Sequence, residues 1–237
     1  MRNVKLIILV AWGFLFLLLS PELLAQNRND FGVWAGMKVE QKILKELSLG
    51  VKAQVRLNGN AAYFKSAFTN VGVGYKFHKM FSLSAGYRYS IRVNNNTHRA
   101  YLDAKLNYQP VEDLGLKFKL RIRGQYDTSS DLTDAPSVTL RSRLYIGFTP
   151  KGKVGKKFTI YTTGEIFYGF VQSYSSFKKW RYSAGMMYHF NKDIALNLRY
   201  ILQDGIETVA PVMDHILVVG MVVDLPKIKK KKKKKDD

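Results

Sequence analysis

Thirteen basic residues carry the densest chemical signal in this chain: Lys52, Arg56, Arg88, Arg92, Arg99, Lys117, Lys119, Arg121, Arg123, Arg141, Arg143, Arg181 and Arg199. Each falls on the polar phase of a segment that alternates apolar and polar residues, and Lys105 and Lys179 share that phase. A face lined with guanidinium and ammonium groups attracts oxyanions, and guanidinium pairs bidentately with carboxylate or phosphate. Few acids accompany these cations; Glu40, Asp103 and Glu165 are the ones in phase. Two uses of such a face stand level. It can line a watery passage and lower the barrier for anions. It can equally fill a narrow interior by hydrogen bonding to Tyr, Ser and loop acids. Arg56, Arg92, Arg99 and Lys179 lie near one rim, where they suit lipopolysaccharide phosphates or sugar-acid groups.

Other chemistry is thin. The four histidines, His78, His98, His189 and His215, stand in no local nucleophile motif. A lipid hydrolase acting on phospholipid or lipid A through Ser and His on an outward face is the enzymatic alternative, with Ser90 near His98 as an example of such a pair. No catalytic residue is assigned on this basis. No His and carboxylate cluster has metal-ligand spacing, so no metal and no cofactor is expected. Gly72 and Gly74 lie within a strand pattern and open no helix, which argues against a phosphate loop. The chain has no cysteine, which excludes disulfides, thiolate metal sites and a lipid-anchored N-terminal Cys.

The elements that position the cations are strands. Leu47, Leu49, Val51, Ala53, Val55 and Leu57 alternate with Ser48, Gly50, Lys52, Gln54 and Arg56. Phe81, Leu83, Ala85, Tyr87, Tyr89, Ile91 and Val93 alternate as cleanly with Ser82, Ser84, Gly86, Arg88, Ser90 and Arg92. Period two means one apolar and one polar face. The pattern predicts strands at 30–42, 46–57, 66–77, 81–93, 98–108, 114–125, 137–148, 158–168, 179–190, 194–203 and 214–225. Most reach the roughly 9–11 residues that a tilted transmembrane strand requires. No Lys or Arg falls on the clear apolar phase, where a cation at the bilayer midplane costs about 2–4 kcal/mol.

Short connections at 43–46, 78–80, 109–113 and 191–193, with a longer one at 149–157, alternate with generally longer polar ones at 58–65, 94–97, 127–136, 169–178 and 204–213. That sorting suits periplasmic turns opposed to external loops. Tyr75, Phe77, Phe81, Tyr108, Phe148, Phe158, Tyr188 and Phe190 adjoin the short turns, and Tyr89, Trp180, Tyr182 and Tyr200 lie toward the other end. Two aromatic belts of this kind mark membrane interfaces. The expected fold is therefore all-β, an antiparallel transmembrane β-barrel of about 10–12 strands. Eleven segments is an odd number where bacterial single-chain barrels are usually even. Either one strand is uncounted or the segment at Asp30 is not a regular barrel strand.

Residues 1–25 read as a cleaved signal peptide: Arg2 and Lys5, then the apolar run from Leu6 to Leu19, then a small residue at Ala25. Residues 26–226 form the barrel domain and 227–237 a disordered poly-lysine tail, with Lys229, Lys230, Lys231, Lys232, Lys233, Lys234 and Lys235 as an unbroken run. The chain has 38 Lys and Arg against 18 Asp and Glu. Without signal and tail the balance is still about +13, too large to come from the tail alone. Cations spread over exported strand faces fit nucleic acid poorly, and no nucleic acid is expected. The expected partners are outer-membrane lipids and lipopolysaccharide, and other envelope proteins reached through the barrel wall or the tail. Anionic headgroups attract lysines at about 1 kcal/mol each near a charged surface.

Asp30, Phe31, Gly32, Val33 and Trp34, with Gly74, Tyr75, Lys76 and Phe77 and then Ala85, Gly86, Tyr87, Arg88 and Tyr89, resemble an uncharacterised bacterial barrel family, domain of unknown function 2490. The resemblance covers residues 30 to about 225 and implies an outer-membrane barrel without an assigned activity. The poly-lysine tail and the ending at Leu225 and Pro226, instead of a terminal aromatic, depart from the pattern. Together these observations point to a non-enzymatic barrel, either a small anion-biased pore or a structural and assembly subunit of an envelope complex.

Overall fold

The computed structural model describes residues 28–110, 115–131, 135–152, 155–171, 174–205 and 212–226. The signal segment 1–25 and the run Lys229 to Lys235 lie outside them. Eleven strands follow one another: β1 (Arg28–Lys42), β2 (Leu47–Asn58), β3 (Tyr63–Lys76), β4 (Phe81–Arg92), β5 (Thr97–Tyr108), β6 (Leu116–Ser129), β7 (Ser137–Phe148), β8 (Phe158–Val171), β9 (Tyr174–His189), β10 (Ile194–Gly205) and β11 (Val212–Leu225). Each pairs with its neighbours in sequence, and β1 pairs with β11 to close the barrel. The segments predicted from alternation all recur, and the one beginning near Asp30 is a regular strand.

The odd count is accommodated at the seam. Every sequential pair is antiparallel, but β1 and β11 run parallel, in register from Arg28 opposite Val212 to Gln41 opposite Leu225. Eleven up-and-down strands leave the first and last pointing the same way, so only a parallel ladder can close them. The expected antiparallel barrel is found, with this one pair as its parallel exception. From Ile216 to Val223 the chain is apolar apart from Gly220, with Ile216 and Val218 buried on the inner face and Leu217 and Met221 exposed on the outer one. Trp34 of β1, Ile201 of β10 and Ile216 and Val218 of β11 form a buried apolar cluster behind the seam.

Elsewhere the wall shows the alternation in space. Val51, Val71, Leu102, Ile122, Leu144 and Ile166 are exposed on the outer face, whereas Gln54, Asp103, Arg123, Arg141 and Glu165 are buried inside. Apolar groups outward and charges inward reverse the arrangement of a water-soluble protein. Rings gather at both ends: Tyr75 meets Phe77 at 4.7 Å and Tyr188 meets Phe190 at 5.0 Å near one end, and Trp180 meets Tyr182 at 5.0 Å toward the other.

The sorting of loops by length does not hold. Strands β8 and β9 extend until only residues 172–173 join them, and residues 59–62 join β2 to β3. Polar residues expected in loops are strand residues here, because both ladders continue past the apolar band.

Two bulges interrupt the ladders, and both lie at the end where β3 and β9 begin. Arg56 pairs with Ser66 but Leu57 with Phe64, which leaves Lys65 as the extra residue. Phe167 pairs with Lys179 but Tyr168 with Phe177, which leaves Lys178 extra. A bulge turns a side chain out of strict alternation, and both lysines line the interior.

Candidate functional site

The strands enclose a cavity of about 680 Å³. Sixteen Lys and Arg line it against three carboxylates, Glu40, Asp103 and Asp127, so the lining cannot neutralise itself. Of the thirteen basic residues singled out from phase, eleven reach this cavity: Lys52, Arg56, Arg88, Arg92, Arg99, Arg121, Arg123, Arg141, Arg143, Arg181 and Arg199. Lys117 and Lys119 do not. Lys117 is exposed near the end of β6, and the Lys119 Nζ lies 5.0 Å from the Tyr145 ring centre.

One sector is internally compensated. Glu165 on β8 is buried, and its carboxylate accepts from Arg121 at 2.9 Å, Arg141 at 2.9 Å, Arg143 at 3.1 and 2.9 Å, and Arg181 at 3.3 Å. Arg121, Arg143, Glu165 and Arg181 are successive partners across β6 to β9, so cross-strand register alone brings them together. Two residues along those strands, Arg123 donates twice to Asp103, at 2.6 and 2.8 Å. Arg99 donates through Nε and Nη2 to the two oxygens of Asp127. A buried carboxylate gathering several guanidiniums holds strands in place and closes the space between them.

The rest of the wall is compensated less, with Lys38 beside Glu40 and Lys65 4.0 Å from Asp214. Lys52, Arg56, Arg88, Arg92 and Arg199 lie on β2, β4 and β10 and make no ion pair among the described residues. Aromatic rings support several cations instead. Arg56 lies 4.1 Å from the Trp34 ring centre and 4.8 Å from that of Phe68, and Arg88 lies 3.9 Å from Phe68. Arg141 and Lys179 lie 4.4 and 5.1 Å from Phe167. Sequence reading assigned no role to these rings. Their signal was the phase: Phe68 shares it with Ser66 and Asn70, and Phe167 with Glu165.

Lys65 and Lys178 were also missed, because a bulge is invisible to a period-two count. With Arg92 and Lys179 they surround one mouth, and a ring of like charge there raises the local concentration of anions. Of the residues that sequence placed near this rim, Arg56 lies 4.8 Å from the Phe68 ring centre and Lys179 lies 5.1 Å from that of Phe167.

The histidines lie elsewhere. Ser90 is buried on the inner face, and the outward phase of β5 carries His98, so the two do not meet. His98 instead lies within hydrogen-bond distance of Ser130 Oγ, 3.0 Å from Nε2, and of Tyr87 Oη, 2.5 Å from Nδ1. His215 bonds Tyr200 Oη at 2.5 Å. Among the described residues no His, Asp and Glu group has the arrangement of a metal site.

A closed barrel, apolar outside and cationic within, is the class this geometry defines. The chain belongs to the DUF2490 family of proteins of unknown function, whose sequence model matches residues 31–206. Similar solved structures include the KdgM porin in complex with disordered oligogalacturonate, at 20% identity over 69% of this chain and 80% of that one, with a TM-score of 0.43. The NanC porin is similar at 12% identity over 73% and 85% of the two chains, with a TM-score of 0.47. No curated protein matches the chain.

Proposed function

We propose that this protein is an integral outer-membrane barrel, exported through a cleaved signal peptide, whose basic lumen passes small anionic solutes without catalysis. The observation that carries the reading is the cavity of about 680 Å³ enclosed by an apolar-faced wall and lined by sixteen cations against three carboxylates. An outward apolar band is stable in lipid, and an inward cationic surface lowers the barrier for anions. The mouth ringed by Lys65, Arg92, Lys178 and Lys179 faces outward in this reading. Strand β11 then ends in the periplasm, and Lys229 to Lys235 meet anionic headgroups or an acidic envelope protein there.

Planar-bilayer recording tests it. Under a potassium chloride gradient the reversal potential should show chloride preferred, with the preference falling as salt rises and screens the lumen. A silent bilayer, with envelope proteins co-purifying, would favour a structural and assembly subunit. Comparing pull-downs of the full chain and a chain truncated after Pro226 tests the tail. Identical partners from both would remove it as a docking element.

One observation favours a second reading, a lipid-modifying enzyme. Ser130 Oγ lies at hydrogen-bond distance from His98, whose other ring nitrogen is held by Tyr87, on the outer surface. A hydroxyl, a base and a group orienting that base are the parts of an acyl-transfer site. Hydrolysis of phospholipid or lipid A that vanishes in both Ser130→Ala and His98→Gln would establish it and displace the passive reading.

A further inference from the structure

Within the less compensated sector, two arginines repeat a device that is complete elsewhere in the same lumen. The complete form is Arg123, stacked 3.8 Å from the Tyr101 ring centre with its edge filled bidentately by Asp103. The Arg56 and Arg88 guanidiniums lie over Phe68, 4.8 and 3.9 Å from the centre of a ring that is 5% exposed, but no carboxylate of the described residues meets either edge. The Nε of each is buried and has no acceptor, and the one side-chain bond of Arg56 is a long 3.5 Å contact to Gln54. A guanidinium held over a ring keeps its donors free for an acceptor. Buried donors in folded proteins are almost always bonded. A ligand carboxylate can therefore take the place that Asp103 fills at Arg123.

The neighbouring rung narrows the chemistry. Lys52, Asn70 and Arg88 are successive cross-strand partners. Asn70 donates through Nδ2 to Tyr101 Oη at 2.8 Å, while its Oδ1 is buried without a partner. A hydroxyl on the ligand can supply this acceptor with a donor. Sulfate offers none, and a neutral sugar offers no charge.

We propose that Arg56, Arg88, Lys52 and Asn70, arranged around Phe68, form a binding site for a sugar acid, whose carboxylate takes the guanidinium edges and whose hydroxyl donates to Asn70. The proposal rests on the reading of the lumen as facing anions, but it requires discrete, saturable recognition where that reading requires only a field.

The test is calorimetric titration of the purified full-length barrel in detergent with glucarate, glucose and sulfate, with folding checked by heat-dependent gel mobility. Glucarate should bind saturably, sulfate more weakly, and glucose not at all. Arg56→Gln with Arg88→Gln should weaken glucarate by about tenfold or more. Phe68→Leu should weaken it while leaving the charge intact, Asn70→Ala should erase the preference over sulfate, and Lys117→Gln at the strand end should change nothing. Sulfate binding as tightly as glucarate, or glucarate binding indifferent to the arginine pair, overturns the site. Bilayer recording on the same preparation separates the two ideas. Anion-selective conductance without saturable glucarate binding removes the site and keeps the passage. Saturable binding in a silent barrel does the reverse.

Discussion

Replacing Glu165 with Gln keeps the shape of the side chain and removes the charge that four guanidiniums share. Taking one partner from a buried ionic network leaves uncompensated charge, at a cost of about 3–5 kcal/mol. Glu165→Gln should therefore lower the urea midpoint of the folded barrel well below that of the parent. Asp103→Asn should cost less, because it frees chiefly one guanidinium that stays stacked on Tyr101. Equal losses in the two variants would mean that Glu165 is not the hub. Phase alone identified the basic residues, since period two sorts inside from outside. It could not separate paired arginines from unpaired ones. That division follows from cross-strand register, which set Glu165 beside Arg143 and Arg181 and gave Arg88 Asn70 and Arg99 as its cross-strand partners.

At the scale of elements, the parallel seam makes a prediction that no antiparallel closure shares. Met37 stands opposite Met221, so cysteines at these two positions should form a disulfide on oxidation. Cysteines at Met37 and Leu217 should not, because in a parallel ladder both strands advance together from Ala35 opposite Val219. The chain has no cysteine of its own, so a shift in gel mobility reads the result directly. Beside the seam, a Cβ added at Gly36 would lie 2.4 Å from the Ala53 carbonyl oxygen and 3.0 Å from Gln54 Cα. Backbone cannot yield as a flexible side chain can, so Gly36→Ala should destabilise the fold by about 1–3 kcal/mol. Gly124, where an added Cβ meets nothing within 4 Å, is the control and should tolerate Ala in the same denaturation assay.

For the whole molecule, the apolar exterior decides what solvent the barrel accepts. Val71 is half exposed at the middle of β3, and Val71→Arg should cost about 2–4 kcal/mol if that face meets lipid. The readout is the yield of folded protein in vesicles, set against Lys52→Gln, which changes charge on the inner face of the neighbouring strand and should insert as the parent does. Comparable yields of the two variants would count against a lipid-facing wall.

The sequence by itself determined the strand-forming segments, the inner and outer faces and the sign of the interior charge, because alternation is a local property that each segment carries alone, but it left the odd strand count open. Only the tertiary structure decided how the eleven strands close, which cations are neutralised and which are held open on Phe68. It also turned Lys65 and Lys178 inward through bulges. Those outcomes depend on register between strands, and register is fixed by contacts among residues far apart in the chain.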